Sequence, residues 1–389
     1  MIKERLILKE IEKYVDSPEA IILTGMRRTG KTTLLKYIYE NNHSSNKLFL
    51  DMENPVNRKY FEEENYEKIK KAFEFLGIIF SSRSYVFIDE IQFVNNLPSV
   101  VKYFIDQYHV KFFLTGSASF YLKNLFSESL AGRKFIFELF PLTFREYLVF
   151  KDVQLKIPGD MGEITPAIFN AIIPFYEEYL FFGGFPQVVL KERSEDKKRA
   201  IEEIFTSFYQ LEVLQLGDFR RNDKIRDLIL LLSGRTGSKL DIQKLSRELT
   251  ISRQTLQEYL SFLEGTFFFK TIRPYAKGIN GEIRKMPKIY ACDTGLINHF
   301  ARVDRGNLFE NSVFQNLRLK GDLRYFQRKS GAELDFILDN DTAYEVKITT
   351  HQSDISRIET LTSQLKLKDF FVVTLSYSSL NHVIFPFLL

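Results

Sequence analysis

Gly25-Met-Arg-Arg-Thr-Gly30-Lys31-Thr32 is the stretch that decides the fold of the first third of this chain. It follows a short apolar run, residues 19–23, that is typical of a buried strand, and a helical pattern comes directly after it. The two glycines allow backbone amides to wrap around phosphate groups, and the helix presents its positive N-terminal end to them. A strand, this loop and a helix in this order predict a site for nucleotide phosphates.

The side chains of this loop have separate expected tasks. Lys31 should reach the β- and γ-phosphates, and the Thr32 hydroxyl should ligate the Mg²⁺ ion that bridges them. The other expected contacts to the nucleotide come from the loop and the first turn of the helix: Gly25, Arg27, Arg28, Thr29, Gly30 and Thr33. We therefore expect ATP and Mg²⁺ as cofactors.

A second apolar run, Tyr85-Val-Phe-Ile88, ends in an acidic pair, Asp89 and Glu90. This is the pattern of a Walker B strand, in which Asp89 would hold Mg²⁺ through water. Glu90 would orient the attacking water as general base, which hydrolysis requires and binding alone does not. The alternative for Glu90 is a helix-capping acid.

A third apolar run, residues 111–114, ends in the small hydroxyl residues Thr115, Ser117 and Ser119. We expect them at the same edge of the sheet as the two motifs above, where one of them would sense the γ-phosphate. Ser117 is the position that we assign to this contact.

These three motifs resemble those of the AAA superfamily of P-loop ATPases. The resemblance is greatest to archaeal and bacterial members related to the STAND class that carry a C-terminal conserved domain of unknown function, and it covers essentially the whole chain. It implies that Arg133, just before the strand-like residues 134–139, is an arginine finger that could complete the ATP site of a neighbouring subunit in a homo-oligomer. A solvated surface arginine is the alternative.

A glycine–proline segment, Gly183-Gly-Phe-Pro186, lies between two helical stretches. Its glycines would end one helix and its proline would open the next. The segment resembles the lid motif of STAND ATPases, and the resemblance implies a rigid turn over the adenine. A plain interhelical turn fits the same residues.

Residues 240–263 have the proportions of a helix-turn-helix, with Ser252 placed as an N-cap between two helical patterns. The apolar face of the second helix leaves three polar residues outward as candidates for a DNA groove: Arg253, Gln254 and Gln257. Two following strands with a loop at residues 275–281 would form a wing. Its basic residues are Lys277, Arg284, Lys285 and Lys288. Such a winged helix either contacts DNA phosphates or packs within its own chain.

Acids alternate with apolar residues near the C-terminus, so that Glu333 and Asp335 share one face of a strand, as do Glu345 and Lys347 on the next. The pattern resembles the PD-(D/E)xK nuclease superfamily, with Leu334 in place of the proline. The resemblance implies that Asp335 and Glu345 ligate Mg²⁺ or Mn²⁺, that Glu310 supports them and that Lys347 stabilises the attacking hydroxide or the phosphorane charge. The alternative is a solvated sheet face without activity.

The composition bounds these interpretations. The chain has 389 residues, 44% hydrophobic and 27% charged, as expected for several folded domains. Its net charge of +4 is too small to indicate nucleic-acid binding by itself. The single cysteine, Cys292, and the absence of a signal-peptide pattern favour a cytoplasmic protein, and we expect no membrane association because no apolar run approaches about 20 residues.

The expected fold is α/β and has four parts. These are a P-loop AAA-like parallel sheet at 1–150, a helical lid at 151–220, a winged helix at 221–292 and a PD-(D/E)xK nuclease-like mixed α/β domain at 293–389. The expected function is Mg-dependent ATP hydrolysis coupled to DNA binding or processing, including metal-dependent DNA cleavage by the last domain. The main alternative is a STAND-like, ATP-controlled regulatory switch with an inert nuclease-like domain. A regulator that binds one operator is a third.

Overall fold

The structure, a computed structural model, describes residues 3–63, 65–116, 130–217, 219, 221–276, 286–328 and 331–389. Its backbone divides into two units. Unit 1 comprises Met1–Phe140 with Gly265–Phe267, and unit 2 comprises Pro141–Glu264 with Phe268–Leu389. Unit 1 ends before the boundary predicted at residue 150, because the helix that follows Pro141 packs on helices of unit 2.

Unit 1 contains a five-stranded parallel sheet. Its strands are β1 (Ala20–Thr24), β2 (Lys47–Asp51), β3 (Tyr85–Asp89), β4 (Lys111–Gly116) and β5 (Lys134–Glu138). Their spatial order is β2-β3-β4-β1-β5, with parallel pairing throughout. The predicted α/β fold with a parallel sheet is confirmed for this part of the chain, and it is consistent with a P-loop AAA fold.

Both faces of this sheet are covered. Successive residues of β1 enter two different hydrophobic clusters, Ala20 and Ile22 one cluster, Ile21 and Leu23 the other. A strand buried on both faces has no polar alternation, which explains the continuous apolar runs in the sequence. The helices of the unit are α1 (Leu8–Glu12), α2 (Lys31–Asn41), α3 (Pro55–Lys59), α4 (Tyr66–Phe75) and α5 (Leu97–Tyr108).

Unit 2 begins with helices. They are α6 (Phe144–Phe150), α7 (Pro166–Phe182), α8 (Pro186–Val189), α9 (Ser194–Phe208) and α10 (Asn222–Ser233), and a π-helical turn, Tyr209–Leu216, extends α9. Local chemistry sets two of the starts: Thr143 and Glu146 form a capping box at α6, and the Thr165 hydroxyl caps α7. No helix in the described part of the chain is long and apolar enough to cross a membrane.

The predicted helix-turn-helix consists of α11 (Ile242–Leu249) and α12 (Arg253–Gly265). Ser252 caps α12 by accepting a 3.0 Å hydrogen bond from the Thr255 amide, and the predicted apolar face of α12 is buried. The hairpin of β6 (Phe269–Pro274) and β7 (Lys288–Ala291) follows, and helices α13 (Thr294–Ala301) and α14 (Arg305–Leu317) come next. Lys277, Arg284 and Lys285 of the predicted wing lie outside the described residues.

A seven-stranded mixed sheet occupies the C-terminal part. It adds β8 (Leu323–Gln327), β9 (Glu333–Leu338), β10 (Thr342–Lys347), β11 (Asp369–Thr374) and β12 (Val383–Ile384), and α15 (Gln352–Leu365) connects β10 to β11. The strand order is β12-β11-β10-β9-β8-β6-β7, and β6 pairs in parallel with β8. The hairpin expected as a separate wing therefore extends the C-terminal sheet, because β8 would otherwise leave an edge of unpaired backbone groups. The boundary predicted at residue 292 falls between elements of one unit.

Candidate functional site

The loop between β1 and α2 requires glycine at two positions. Gly25 has φ +150°, and a Cβ atom there would lie 2.2 Å from the Leu139 carbonyl oxygen. Gly30 has φ +100° and is the N-cap of α2. Only glycine takes both conformations without strain. The predicted order of strand, loop and helix is confirmed, and the amides of the first turn of α2 point towards the loop.

Lys31 is held against the loop by hydrogen bonds. It is 4% exposed, and its Nζ donates to the carbonyl oxygens of Gly25 and Met26, both at 3.0 Å. The ammonium group is therefore folded against the loop whose backbone would surround the phosphates. This is the position from which a lysine can reach a bound phosphate by a small change of its side-chain torsions.

Asp89 ends β3 beside two hydroxyl groups. Thr115, at the end of β4, donates a hydrogen bond to Asp89 Oδ1, and the Thr32 side chain is a second hydrogen-bond partner. Burial raises the pKa of the Asp89 carboxyl above its ordinary value, whereas these hydrogen bonds lower it and the charges of Glu90 and Asp51 raise it further. A buried carboxylate among other acids is stabilised by a cation.

Glu90 has an unusual backbone conformation. Its φ of 54° and ψ of 52° are left-handed, which costs a residue other than glycine on the order of 1–3 kcal/mol. Its amide donates to the Thr115 hydroxyl at 3.1 Å, and Gln92 Nε2 donates to its Oε2. The carboxylate makes no capping hydrogen bond to the short 3-10 helix that follows, so the capping alternative is not what the structure contains.

Thr115 connects Asp89 to the backbone of Glu90, whereas Gln92 holds only the Glu90 carboxylate, and the sequence predicts no definite role for either residue. Ser117, the residue that we predict to sense the γ-phosphate, lies outside the described residues. The strand register does indicate Thr115. Ile88 of β3 pairs with Leu114 of β4, so the residues that follow them in the two parallel strands, Asp89 and Thr115, are neighbours.

Other residues of the loop are placed around this centre. Arg27 is buried with Nη1 3.8 Å from Glu53 Oε1, and the Thr29 hydroxyl donates to the Met26 carbonyl at 2.9 Å. Arg28 and Thr33 are exposed. The notable addition is Arg5, whose guanidinium donates to the carbonyl oxygens of Thr29 at 2.8 Å and Phe140 at 2.7 Å.

Arg133 lies on the surface of unit 1. Its Nε is 2.7 Å from Asp106 Oδ1, and both side chains are about one third exposed, at 39% and 32%. The ion pair lies within one chain, as expected for a surface arginine. The assignment of Arg133 as a finger for a neighbouring subunit stays a prediction.

The predicted lid segment makes its contacts in unit 2. The Gly184 amide donates to Asp293 Oδ2 at 2.7 Å, and a Cβ atom on Gly183 would lie 2.1 Å from Asp293 Oδ1. Asp293 also caps α13 by accepting from the Leu296 amide at 3.0 Å. Burial raises the pKa of Asp293 to about 6. The sequence interpretation did not connect these two segments, and the placement of the lid over the adenine stays a prediction.

The C-terminal acids contact basic side chains: three of them lie around Lys288, and Glu345 pairs with two cations. Lys288 Nζ lies 3.2 Å from Glu310 Oε1, 2.6 Å from Glu333 Oε1 and 3.7 Å from Asp335 Oδ1. Glu345 Oε1 lies 3.0 Å from Lys347 Nζ and 2.6 Å from Arg357 Nη2. Lys288, which we had placed on the wing, is thus part of the acidic centre.

The charges in this centre affect each other strongly. Burial raises the pKa of Asp335 well above its ordinary value, and the neighbouring Glu310 and Glu345 raise it further. Burial would lower the pKa of Lys288, but Glu310, Asp335 and Glu333 raise it above its ordinary value. Lys288 therefore carries its charge at neutral pH.

The expected metal ligands Glu310, Asp335 and Glu345 do not assemble as a metal site. Among the described residues, no group of three or more His, Cys, Asp or Glu side chains is arranged to hold a metal ion. The physical reason is that an ammonium group lies among the acids and that one oxygen of Glu345 is held by Lys347 and Arg357. The residues present do not fit Mg²⁺ or Mn²⁺ at this position.

Two family models match different parts of this chain. Residues 17–148 match a protein family described as an AAA domain, which supports an AAA-type P-loop ATPase, and residues 173–307 match a family described as a domain of unknown function. An uncharacterised protein of Haemophilus influenzae is 26% identical over 380 residues, which cover 91% of this chain and 90% of that protein. An uncharacterised protein of Methanocaldococcus jannaschii is 25% identical over 395 residues, covering 97% and 86%. The similarity therefore spans both units.

Among solved structures, this chain is similar to the ORC1 protein of Aeropyrum pernix in complex with DNA. The TM-score is 0.35 at 14% sequence identity, and the match covers 82% of this chain and 94% of that chain.

Proposed function

We propose that this chain is an Mg-dependent ATP hydrolase of the AAA type. The observation that carries the proposal is the arrangement at the carboxyl edge of the parallel sheet. There the hydroxyls of Thr32 and Thr115 both bond to Asp89, the Glu90 amide bonds to Thr115, and Lys31 lies in the loop beside them. ATP hydrolysis needs a phosphate cradle, oxygen ligands for a cation and a base, and the residues at this edge would supply all three.

The loop suits a triphosphate. The close approach at Gly25 and the left-handed Gly30 leave the backbone free of side chains where phosphates would lie. Lys31 would exchange its carbonyl partners for phosphate oxygens and balance their charge. Arg5, which is bonded to Thr29, would keep the loop in this shape.

Thr32 and Asp89 fit a magnesium ion, because both supply oxygen ligands and Asp89 is a buried carboxylate next to other acids. Bound there, Mg²⁺ would neutralise negative charge on the phosphates. Thr115 fixes the orientation of the Asp89 carboxylate. Glu90, with one carboxylate oxygen held by Gln92, would accept a proton from the attacking water.

We further propose that the nucleotide state controls binding to DNA, as in a regulatory switch, and that the chain does not cleave DNA. Two observations support this choice. The polar face of α12 is exposed at Arg253, Gln254 and Gln257, which suits a DNA groove. The C-terminal acids already have the chain's own cations as partners.

ATP turnover by purified protein tests the first part. We expect Lys31→Ala and Glu90→Gln each to lower kcat by roughly 10²-fold or more, with ATP binding kept only in Glu90→Gln. Lys36→Ala and Glu40→Gln, both exposed on α2, are the matched controls and should retain full turnover. Undiminished turnover in Lys31→Ala and Glu90→Gln would contradict the assignment of the chain as an ATP hydrolase.

Fluorescence anisotropy of a labelled DNA duplex tests the second part. We expect duplex binding to differ between the ATP-bound Glu90→Gln protein and the same protein without nucleotide. Arg253→Ala combined with Gln257→Ala should weaken binding, whereas Arg199→Ala, an exposed arginine of α9, should not. If duplex binding changes neither with nucleotide nor with the α12 substitutions, a protein partner is favoured instead. Cleaved duplex in the same reactions would contradict the switch.

A further inference from the structure

An ammonium group lies beside Glu310 and Asp335, two of the three acids to which the nuclease resemblance assigns a metal ion. Lys288 is 5% exposed, and its Nζ is within 4 Å of three carboxylates. These carboxylates come from two elements, with Glu310 on α14 and both Glu333 and Asp335 on β9. The lysine comes from a third element, β7. Four charged side chains from three elements of unit 2 thus meet at one point.

The surroundings hold the ammonium in this place. Lys288 lies opposite Ile272 in the β6–β7 ladder, so that its backbone is fixed by the sheet. Its Nζ lies 5.6 Å from the centre of the Tyr325 ring, a distance suited to a cation–π interaction. The Tyr290 hydroxyl donates to Glu310 Oε1 at 2.7 Å, which orients the carboxylate that also contacts Lys288.

Glu345 and Asp335 each have one carboxylate oxygen that is already engaged by the chain. Glu345 Oε1 has Lys347 and Arg357 as partners, which leaves one oxygen, Oε2, without a hydrogen-bond partner among the described residues. Asp335 Oδ2 accepts a 2.8 Å hydrogen bond from the Val346 amide. A divalent cation needs several oxygens at about 2.0–2.6 Å, and a dication in this centre would lie against the Lys288 ammonium. Repulsion between the two positive charges opposes metal binding.

We infer that Lys288 is the resident cation of the C-terminal acidic centre and that its ammonium keeps divalent metal ions out. The centre joins β7, α14 and β9 through charge, in a domain that resembles metal-dependent nucleases. Removal of this one cation would turn it into a metal site. The inference concerns unit 2 alone and does not depend on the proposed ATP hydrolysis.

Mn²⁺ titration of the full chain without nucleotide, followed by the electron paramagnetic resonance signal of free Mn²⁺, tests this. All proteins carry Asp89→Asn, which removes the metal-binding acid of the P-loop site. The parent and its Asp335→Asn derivative should bind the same amount of Mn²⁺. Lys288→Met should bind one further Mn²⁺ ion per chain, and adding Asp335→Asn to it should abolish that gain. Lys270→Met, an exposed lysine of β6, is the control and should gain none.

Two results would overturn the inference. One is Mn²⁺ binding by the parent that Asp335→Asn removes, and the other is a Lys288→Met protein that is folded by circular dichroism but gains no ion. If Lys288→Met does not fold, the comparison of the parent with Asp335→Asn decides alone. Equal binding then supports the inference, and a loss contradicts it.

Discussion

The Gly184 amide donates a 2.7 Å hydrogen bond to the Asp293 carboxylate, across 109 residues of sequence. The same junction has a second close approach, because a Cβ atom on Gly295 would lie 2.0 Å from the Phe182 carbonyl oxygen. The glycines of both segments are therefore needed for contact between backbones, and Asp293 supplies the acceptor. The predicted lid motif is anchored by a buried acid.

Asp293 should make the stability of unit 2 depend on pH. Its pKa is raised by burial from 3.8 to about 6, so the folded chain binds a proton more readily than the unfolded chain. Stability from this group is complete below about pH 4 and is lost as the pH rises to about 6, a change on the order of 3 kcal/mol. Urea unfolding of the wild type and Asp293→Asn at several pH values measures it. The difference in unfolding free energy between the wild type and Asp293→Asn should change by this amount between about pH 4 and pH 6. A difference that stays constant over this pH range would contradict the prediction.

Gly25→Ala should abolish nucleotide binding. The new methyl group would lie 2.2 Å from the Leu139 carbonyl oxygen, so that the loop must move. Gly77→Ala is the matched control, because Gly77 also has a positive φ of 101° but nothing lies within 4 Å of its Cβ position. It should cost only backbone strain of about 1 kcal/mol and keep ATP binding. Equal loss of ATP affinity in both variants, measured by calorimetry, would show that the clash is not the cause.

The arrangement of the glycine loop and Asp89 was predictable because its signals are local. The loop, the strand before it and the acids after Ile88 all lie in short segments whose chemistry depends on neighbours in sequence. The parallel sheet then brings the ends of β1, β3 and β4 to one edge, so that a correct strand assignment is enough to place Asp89 beside Thr115.

The partners of the C-terminal acids were not predictable in the same way. Lys288 lies 22 residues before Glu310, in a segment whose basic residues suggested a wing. Its role follows from the parallel pairing of β6 with β8, which brings the hairpin into the C-terminal sheet. The residues of β6 and β8 do not by themselves indicate that these distant strands pair. The sequence therefore predicts the acidic cluster but not that Lys288 is its cation. Arg5 and Asp293 were not predicted because the backbone groups that they contact are also distant in sequence.

Arg5→Ala should weaken ATP binding by roughly tenfold or more with a smaller effect on kcat. Its guanidinium bonds to the Thr29 and Phe140 carbonyl oxygens, and hydrogen bonds from a charged group contribute about 1.5–3 kcal/mol. Loss of these bonds would loosen the loop without removing a reacting group. Arg83→Ala is the control, because Arg83 also donates to a backbone carbonyl, that of Asp16, at 2.7 Å. An unchanged KM for ATP in Arg5→Ala would rule out a role in shaping the loop.

Arg133→Ala should show whether Arg133 acts as an arginine finger or only forms the surface ion pair with Asp106. The pair with Asp106 is partly exposed, so its loss should change the unfolding free energy by less than about 1 kcal/mol. If Arg133 completes the site of a neighbouring subunit, turnover falls while stability and ATP binding stay. An equimolar mixture of the inactive Arg133→Ala and Glu90→Gln proteins should then regain turnover, because a mixed pair contains one intact site. Asp106→Ala, which removes the pair but keeps the arginine, should retain turnover. Full activity in Arg133→Ala would assign the residue to the surface pair alone.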